Sequence, residues 1–200
     1  MRIPLAISLL CSAAYLIAMP FGRHPVVKAG AVAALAVVAR RYPLAALALL
    51  LGSAGDALLE LGAGSFSAGL AAFLCGHLLY TACFIRTGKR RIPWAAAGGI
   101  VLYGAVFTAW LWPRLGSLRV PVLAYVAALC AMAVTSFRAG GAIPAGALLF
   151  LVSDSLLAAD RFVTPAPGAG YAIWLTYYAA QLLLALGFYR RAPGSCPDVI

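Results

Sequence analysis

Long apolar segments follow one another along almost the whole chain, and short breaks rich in Pro, Gly and clustered Arg residues separate them. A helix that spans a bilayer needs about 20 apolar residues, which is close to the length of most of these segments. The pattern therefore predicts eight helices, of which the second is short. Their expected ranges are 4–21, 25–39, 42–61, 66–86, 92–112, 119–137, 142–160 and 171–190.

The composition excludes an ordinary soluble domain. Of the 200 residues, 64% are hydrophobic and 10% are charged, whereas soluble domains are about half apolar and about a quarter charged. The net charge of +10 lies in short clusters between the apolar segments, which is typical of membrane topology and not of a nucleic-acid interface. We predict an all-α, polytopic membrane protein with one transmembrane domain over residues 1–190 and a disordered cytoplasmic tail over residues 191–200.

Lys and Arg residues are distributed unequally between the two sides of this predicted topology. The side that carries both termini has ten of them, and the opposite side has five. Because cytoplasmic loops are enriched in Lys and Arg, both termini are expected in the cytoplasm of a multi-pass cell-membrane protein. The five residues on the outer side are Arg23, Lys28, Arg114, Arg119 and Arg161.

The two halves of the chain resemble each other. The segment that begins at Arg23 resembles the one at Arg119, and the segment around Asp56 resembles the one around Asp154. Helices 1–4 would then correspond to helices 5–8. Because each half holds an even number of helices, the halves would be parallel repeats about an axis along the membrane normal. Chance similarity between apolar helices is the alternative.

Two carboxyl groups lie inside predicted helices. Asp56 is about two thirds along the third helix, and Asp154 is at a similar position in the seventh. Placing an ionisable group inside a bilayer costs about 3 kcal/mol or more of free energy, so such a residue is by default expected to have a function. Both lie about 20 Å from the cytoplasmic end, in the outer half of the membrane. We predict that this pair is catalytic; hydrogen bonding within the bundle is the structural alternative.

Other polar side chains are expected at the same depth. His77 and Tyr80 share one face of the fourth helix, and Tyr178 and Gln181 share one face of the eighth. Residues from the outer ends of the second and sixth helices join them. The predicted substrate-binding residues are His77, Tyr80, Tyr125, Tyr178, Gln181 and Lys28.

Each of these residues also has a structural interpretation. His77 is equally compatible with a hydrogen-bonded core histidine, and Lys28 with a side chain that extends to lipid headgroups. Trp174 is interpreted as a packing or interfacial aromatic and Glu60 as an interfacial residue, while Tyr177 is compatible with either a packing role or a site role.

Four motifs in this order resemble the YhhN-like membrane proteins, the lysoplasmalogenase family. They are Gly55-Asp56-x-x-Leu59, Gly76-His77-x-x-Tyr80, Ser153-Asp154-Ser155 and Thr176-Tyr177-Tyr178-x-x-Gln181. The resemblance covers roughly residues 5–188 and includes the eight-helix plan. One departure, Arg23-His24-Pro25 where Lys-Pro is expected, bears on the headgroup role of Lys28.

The resemblance implies that the vinyl-ether bond of a lysoplasmalogen is hydrolysed to a fatty aldehyde and a glycerophospho-headgroup compound. Asp56 and Asp154 would be the paired aspartates of the family. Such hydrolysis needs a proton delivered to the β-carbon, and water then captures the oxocarbenium ion. One protonated and one ionised carboxyl would divide this work much as in glycosidases. We expect a lysophospholipid substrate and membrane lipids as partners, with no metal, cofactor or nucleic acid.

Three other classes of protein remain open at this point. A metal-dependent lipid hydrolase would use Asp56, Asp154 and His77 as ligands. A proton-coupled transporter or lipid flippase would use the same acids as proton carriers in alternating access. A passive structural or sensor protein would need neither acid for activity.

Overall fold

The computed structural model describes residues 1–191. Over this range the chain forms eight α-helices joined by short loops and 3-10 turns, without a β-strand. The observed helix ends differ from the predicted ones by at most three residues. The predicted disordered tail lies, beyond Arg191, outside the described residues. The helices are α1 Arg2–Ala18, α2 Pro25–Val38, α3 Pro43–Leu61, α4 Phe66–Thr87, α5 Trp94–Leu111, α6 Arg119–Ala139, α7 Ile143–Phe162 and α8 Ala169–Tyr189.

The helices have the lengths that a bilayer requires. Seven of those described are long and apolar enough to cross a membrane, and α2, with 14 residues, is the shorter one. Large apolar side chains such as Leu10, Ile17 and Leu102 are exposed on the outside of the bundle, where lipid replaces water as the solvent. The predicted all-α, multi-pass membrane protein is confirmed.

Proline residues in the breaks set where several helices begin. Pro25 and Pro43 are the first residues of α2 and α3, and Pro144 lies in the first turn of α7. Proline is tolerated there because the backbone N–H groups of a first turn have no partner within the helix. The breaks read from the sequence are therefore also the start signals of the helices.

Helix neighbours follow a simple pattern. Helix α3 packs on α4 and α7 packs on α8, while α4 also contacts α6 and α8 contacts α2. If each helix is replaced by the one four places further along, counting on from α8 to α1, the α4–α6 contact becomes the α8–α2 contact. The pattern fits the parallel repeat, which stays a prediction.

Two glycines of α3 allow neighbouring helices to approach closely. A Cβ atom on Gly55 would lie 2.6 Å from the ring of Phe73 on α4, and one on Gly52 would lie 2.8 Å from the side-chain nitrogen of Gln181 on α8. Phe73 is itself held edge-on against Phe150 and Tyr177, with ring centroids 6.3 and 5.8 Å away. Small residues of this kind drive close helix packing in membranes.

We predict that Gly55→Ala destabilises the protein by about 1–3 kcal/mol, because the new methyl group overlaps a ring that packs edge-on against Phe150 and Tyr177. Gly98→Ala is the matched control, since a Cβ at this helical position of α5 meets no atom within 4 Å. Thermal unfolding in detergent compares the two variants. Equal midpoints for both would contradict close packing at Gly55.

Candidate active site

A chain of hydrogen bonds ends on Asp56, which is only 2% exposed. The Tyr177 hydroxyl donates to Oδ2 of Asp56 over 2.7 Å. The side-chain amide of Gln181 donates to the Tyr177 oxygen over 3.2 Å and accepts from the Tyr80 hydroxyl over 2.9 Å. Tyr177 and Gln181 are four residues apart on α8 and therefore share a face. Every donor in this chain is directed toward the Asp56 carboxyl.

The second acid, Asp154, has a different set of partners. Its side chain is 11% exposed, and the Tyr125 hydroxyl of α6 donates to Oδ2 over 2.5 Å. On α4, Nε2 of His77 lies 3.0 Å from the Tyr125 hydroxyl and 3.6 Å from Oδ2 of Asp154. The other ring nitrogen of His77, Nδ1, lies 3.3 Å from the sulfur of Met132. The thioether has no proton to give, so this contact favours a proton on Nδ1.

Two arrangements of protons are compatible with the hydrogen bonds among Asp154, Tyr125 and His77. In one, Tyr125 donates to an ionised Asp154 and accepts from a doubly protonated His77. In the other, Asp154 is protonated and donates to Tyr125, which in turn donates to Nε2 of His77. The two arrangements differ by one proton moved between His77 and Asp154 through Tyr125.

The two acids line one cavity of about 250 Å³. It lies at the end of the bundle where α1, α3 and α7 finish and α2 and α8 begin, and Lys28, Glu60 and Trp174 also line it. A second, mostly apolar cavity of about 60 Å³ lies among α3, α4, α5, α6 and α7. Because Asp154 lines both, it lies where the polar and apolar cavities meet.

The structure brings together most of the predicted site residues, at different distances from the acids. Lys28 lines the shared cavity. His77 and Tyr125 contact Asp154 directly or through each other. Tyr80 and Gln181 are connected to Asp56 through a third side chain.

Tyr178 is placed differently from the sequence-based expectation. Its hydroxyl lies 2.7 Å from Oγ of Ser8 on α1, and Ser8 donates its own proton to the carbonyl of Ala31. Tyr178 therefore joins α8 to α1 and has no bond to either acid. Successive residues of a helix point about 100° apart, so its neighbour Tyr177 reaches Asp56 instead.

Two residues outside the predicted set contact an acid or line the shared cavity. The sequence leaves Tyr177 open to a packing role or a site role, and its hydroxyl donates to Asp56. Glu60 is turned into the cavity, where it pairs with Lys28 at 3.1 Å and accepts a hydrogen bond from Tyr15. The available signal was helical spacing, because Glu60 follows Asp56 by four residues and Tyr177 precedes Gln181 by four.

The part of the chain that the structure describes has no group of side chains arranged to bind a metal ion. Within residues 1–191, no three His, Cys, Asp or Glu side chains are grouped as ligands of one ion. The metal-dependent alternative names Asp56, Asp154 and His77 as ligands, and these do not form such a group.

Together, the fold and the cavity define a multi-pass membrane protein with paired carboxyl groups enclosed in its helix bundle. The chain belongs to the YhhN family, whose model matches residues 24–188. The family predicted from the motifs is thereby confirmed.

Curated relatives carry the name of one enzyme. The "Lysoplasmalogenase" of Mycobacterium tuberculosis is 32% identical over 191 residues, which covers 85% of this chain and 72% of the relative. The human "Lysoplasmalogenase TMEM86B" is 38% identical over 147 residues, which covers 72% of this chain and 62% of the relative. The bovine "Lysoplasmalogenase TMEM86A" is 34% identical over 151 residues, which covers 69% of this chain and 62% of the relative. No solved structure matches the chain.

Proposed function

We propose that this protein is a membrane-embedded lysoplasmalogenase. It would hydrolyse the vinyl-ether bond of a lysoplasmalogen to a fatty aldehyde and a glycerophospho-headgroup compound. The observation that carries the proposal is the pair Asp56 and Asp154, which lines one cavity inside the bundle. Relatives at 32% and 38% identity bear the name of this activity, and its chemistry needs two carboxyl groups in different protonation states.

The two cavities suggest how the substrate would lie. A lysolipid has a polar headgroup and one apolar chain, joined by glycerol and the vinyl ether. The polar cavity would hold the headgroup. The apolar cavity, whose walls include Leu70, Phe107 and Leu111, would hold the first carbons of the chain next to the vinyl ether. The vinyl ether would then lie at Asp154, at the junction of the cavities.

The hydrogen bonds favour a division of roles between the acids. Asp154 would deliver its proton to the β-carbon of the vinyl ether, so that a C–H bond forms and the double-bond electrons leave an oxocarbenium ion. Asp56, toward which all donors of its chain point, would be the carboxylate that stabilises this cation. It would take a proton from the attacking water, which forms the hemiacetal. Asp56 would then give this proton to the glycerol oxygen as the C–O bond breaks, while Asp154 takes the proton of the hemiacetal hydroxyl and the aldehyde forms. Both acids would thus return to their starting states.

His77 would be a positioning residue for the acid. After the proton has left Asp154, Tyr125 can turn its hydroxyl proton from Nε2 of His77 to the carboxylate. When Asp154 regains a proton from the hemiacetal, Tyr125 turns back to Nε2, so the acid keeps a partner in both states. The sulfur of Met132, beside Nδ1, would hold the ring in the orientation that keeps Nε2 toward Tyr125.

The acid pair predicts the result of an assay on purified protein. The wild type should release fatty aldehyde from a lysoplasmalogen, and Asp56→Asn and Asp154→Asn should each lower kcat by at least about 10²-fold, the usual contribution of a general acid or base. Arg114→Gln is the control, because Arg114 is exposed, donates to the carbonyl of Trp110 and lines neither cavity, so this variant should keep its activity. Aldehyde release that survives both cavity substitutions would contradict the mechanism.

Failure of the wild type would have a different meaning. Folded wild-type protein that releases no aldehyde from any lysoplasmalogen would contradict the proposed function itself. Proton flux in vesicles would then test the transporter alternative.

The hydrogen bonds among His77, Tyr125 and Asp154 predict non-additive kinetics. His77→Gln and Tyr125→Phe should each lower kcat by about tenfold or more with little change in KM, since both interrupt the line of hydrogen bonds that positions Asp154. The double variant should lose no more than the worse single variant. Losses that multiply in the double variant, or an effect confined to KM, would contradict this shared role.

We also propose that both termini lie in the cytoplasm, so that the shared cavity opens toward the outer leaflet. The distribution of ten and five basic residues supports this orientation. Green fluorescent protein fused after Ile200 should fluoresce, and alkaline phosphatase fused at the same point should be inactive. The reverse pair of results would contradict the orientation.

A further inference from the structure

Lys28 points into the cavity and does not extend along the lipid surface. Its Nζ lies 3.1 Å from Oε1 of Glu60, and the two side chains are 16% and 13% exposed. The hydroxyl of Tyr15 donates to the same Glu60 oxygen. This ion pair takes no part in the acid–base scheme, although it lines the same cavity as the acids.

Two aromatic rings surround the same ammonium group. Nζ of Lys28 lies 5.4 Å from the ring centroid of Tyr15 and 5.7 Å from that of Trp174. The two rings are 4.6 Å apart with 59° between their planes. The indole of Trp174 is held in place because it donates to Ser12 over 3.1 Å. A carboxylate and two ring faces within about 6 Å of a cation are the elements with which proteins bind ammonium ligands.

We propose that Tyr15, Glu60 and Trp174 bind the ammonium group of a zwitterionic lysophospholipid headgroup, while Lys28 binds its phosphate. This inference rests on the proposed function and assigns the residues of the same site that recognise the headgroup. Without substrate, the lysine occupies the ammonium position itself. When the headgroup enters, Lys28 exchanges Glu60 for the phosphate and Glu60 exchanges Lys28 for the new ammonium. Neither half-buried charge is left unpaired, which avoids the large cost of an isolated buried ion.

The position of this cluster along α3 matches the shape of such a lipid. Glu60 follows Asp56 by four residues, so it lies on the same face about 6 Å nearer the end of the helix. In a lysolipid, the three carbons of glycerol separate the ether oxygen from the phosphate ester. A vinyl ether at the acids therefore leaves the phosphate and its ammonium group at the level of Lys28 and Glu60.

The charges of the cluster predict headgroup selectivity. A headgroup that has only a phosphate binds Lys28 and thereby leaves Glu60 without a cation. The phosphate also adds negative charge beside Glu60. A phosphocholine or phosphoethanolamine headgroup satisfies both residues. The site therefore prefers lysolipids that carry an ammonium group over those that end in a phosphate monoester.

Selectivity is measured with three substrates that share one alkenyl chain. They are 1-alkenyl-glycerophosphocholine, 1-alkenyl-glycerophosphoethanolamine and 1-alkenyl-glycerol 3-phosphate. The wild type prefers the first two in kcat/KM. Glu60→Gln and Trp174→Leu each reduce this preference by about tenfold, mainly through KM, because each removes one element of the ammonium site.

Matched controls separate this effect from general damage. Arg114→Gln removes an exposed charge that donates to the carbonyl of Trp110, and Trp110→Leu removes an exposed tryptophan of α5 whose ring contacts Arg114. Both controls keep the wild-type preference. A loss in Glu60→Gln and Trp174→Leu that is equal for all three headgroups overturns the proposal.

A binding measurement separates this inference from the function on which it rests. Calorimetry determines the Kd of saturated 1-alkyl analogues, which have no vinyl ether, with a phosphocholine or a phosphate headgroup. The wild type binds the phosphocholine analogue more tightly, and Glu60→Gln loses that preference; Trp174→Leu takes its place if Glu60→Gln does not fold. Selective binding without aldehyde release overturns the proposed function alone. Aldehyde release without any headgroup preference overturns the ammonium site alone.

Discussion

The burial of two carboxyl groups inside a lipid-embedded helix bundle is the constraint on which the rest of the structure depends. A charge in the middle of a membrane is costly unless other groups bond to it. The protein meets this requirement with hydroxyl, amide and imidazole groups from α4, α6 and α8, directed at Asp56 and Asp154. The bonding requirement thus fixes how these helices are rotated around α3 and α7.

The same requirement explains why the two acids differ in their surroundings. Asp56 receives a chain of donors that all point one way, which suits a carboxylate that is ionised when the reaction begins. Asp154 instead contacts groups that can change direction, because Tyr125 and His77 can each act as donor or acceptor. In our proposal, both residues are aspartates, and the difference in their hydrogen-bond partners makes Asp154 the acid and Asp56 the base.

The sequence alone predicts the positions of the helices and that Asp56 and Asp154 lie inside the bundle. Bilayer thickness fixes the length of an apolar segment, so breaks such as Pro25 and Pro43 mark helix starts with little ambiguity. The cost of a carboxyl in lipid also makes Asp56 and Asp154 conspicuous without any structure. The choice between Tyr177 and Tyr178 was not accessible in this way, because it depends on the rotation of α8 by about 100°. The inward turn of Glu60 likewise depends on Lys28 and Tyr15, which come from other helices.

The most direct test of the central claim is the isotope content of the products formed by the wild type. In a single short turnover in D₂O, our account predicts a fatty aldehyde with one deuterium on the carbon next to the carbonyl, since the acid protonates the β-carbon. In H₂¹⁸O it predicts a glycerophospho product without ¹⁸O, because the ether oxygen stays with glycerol. Aldehyde without that deuterium, or ¹⁸O in the glycerophospho product, would contradict the proposed chemistry of the acid pair.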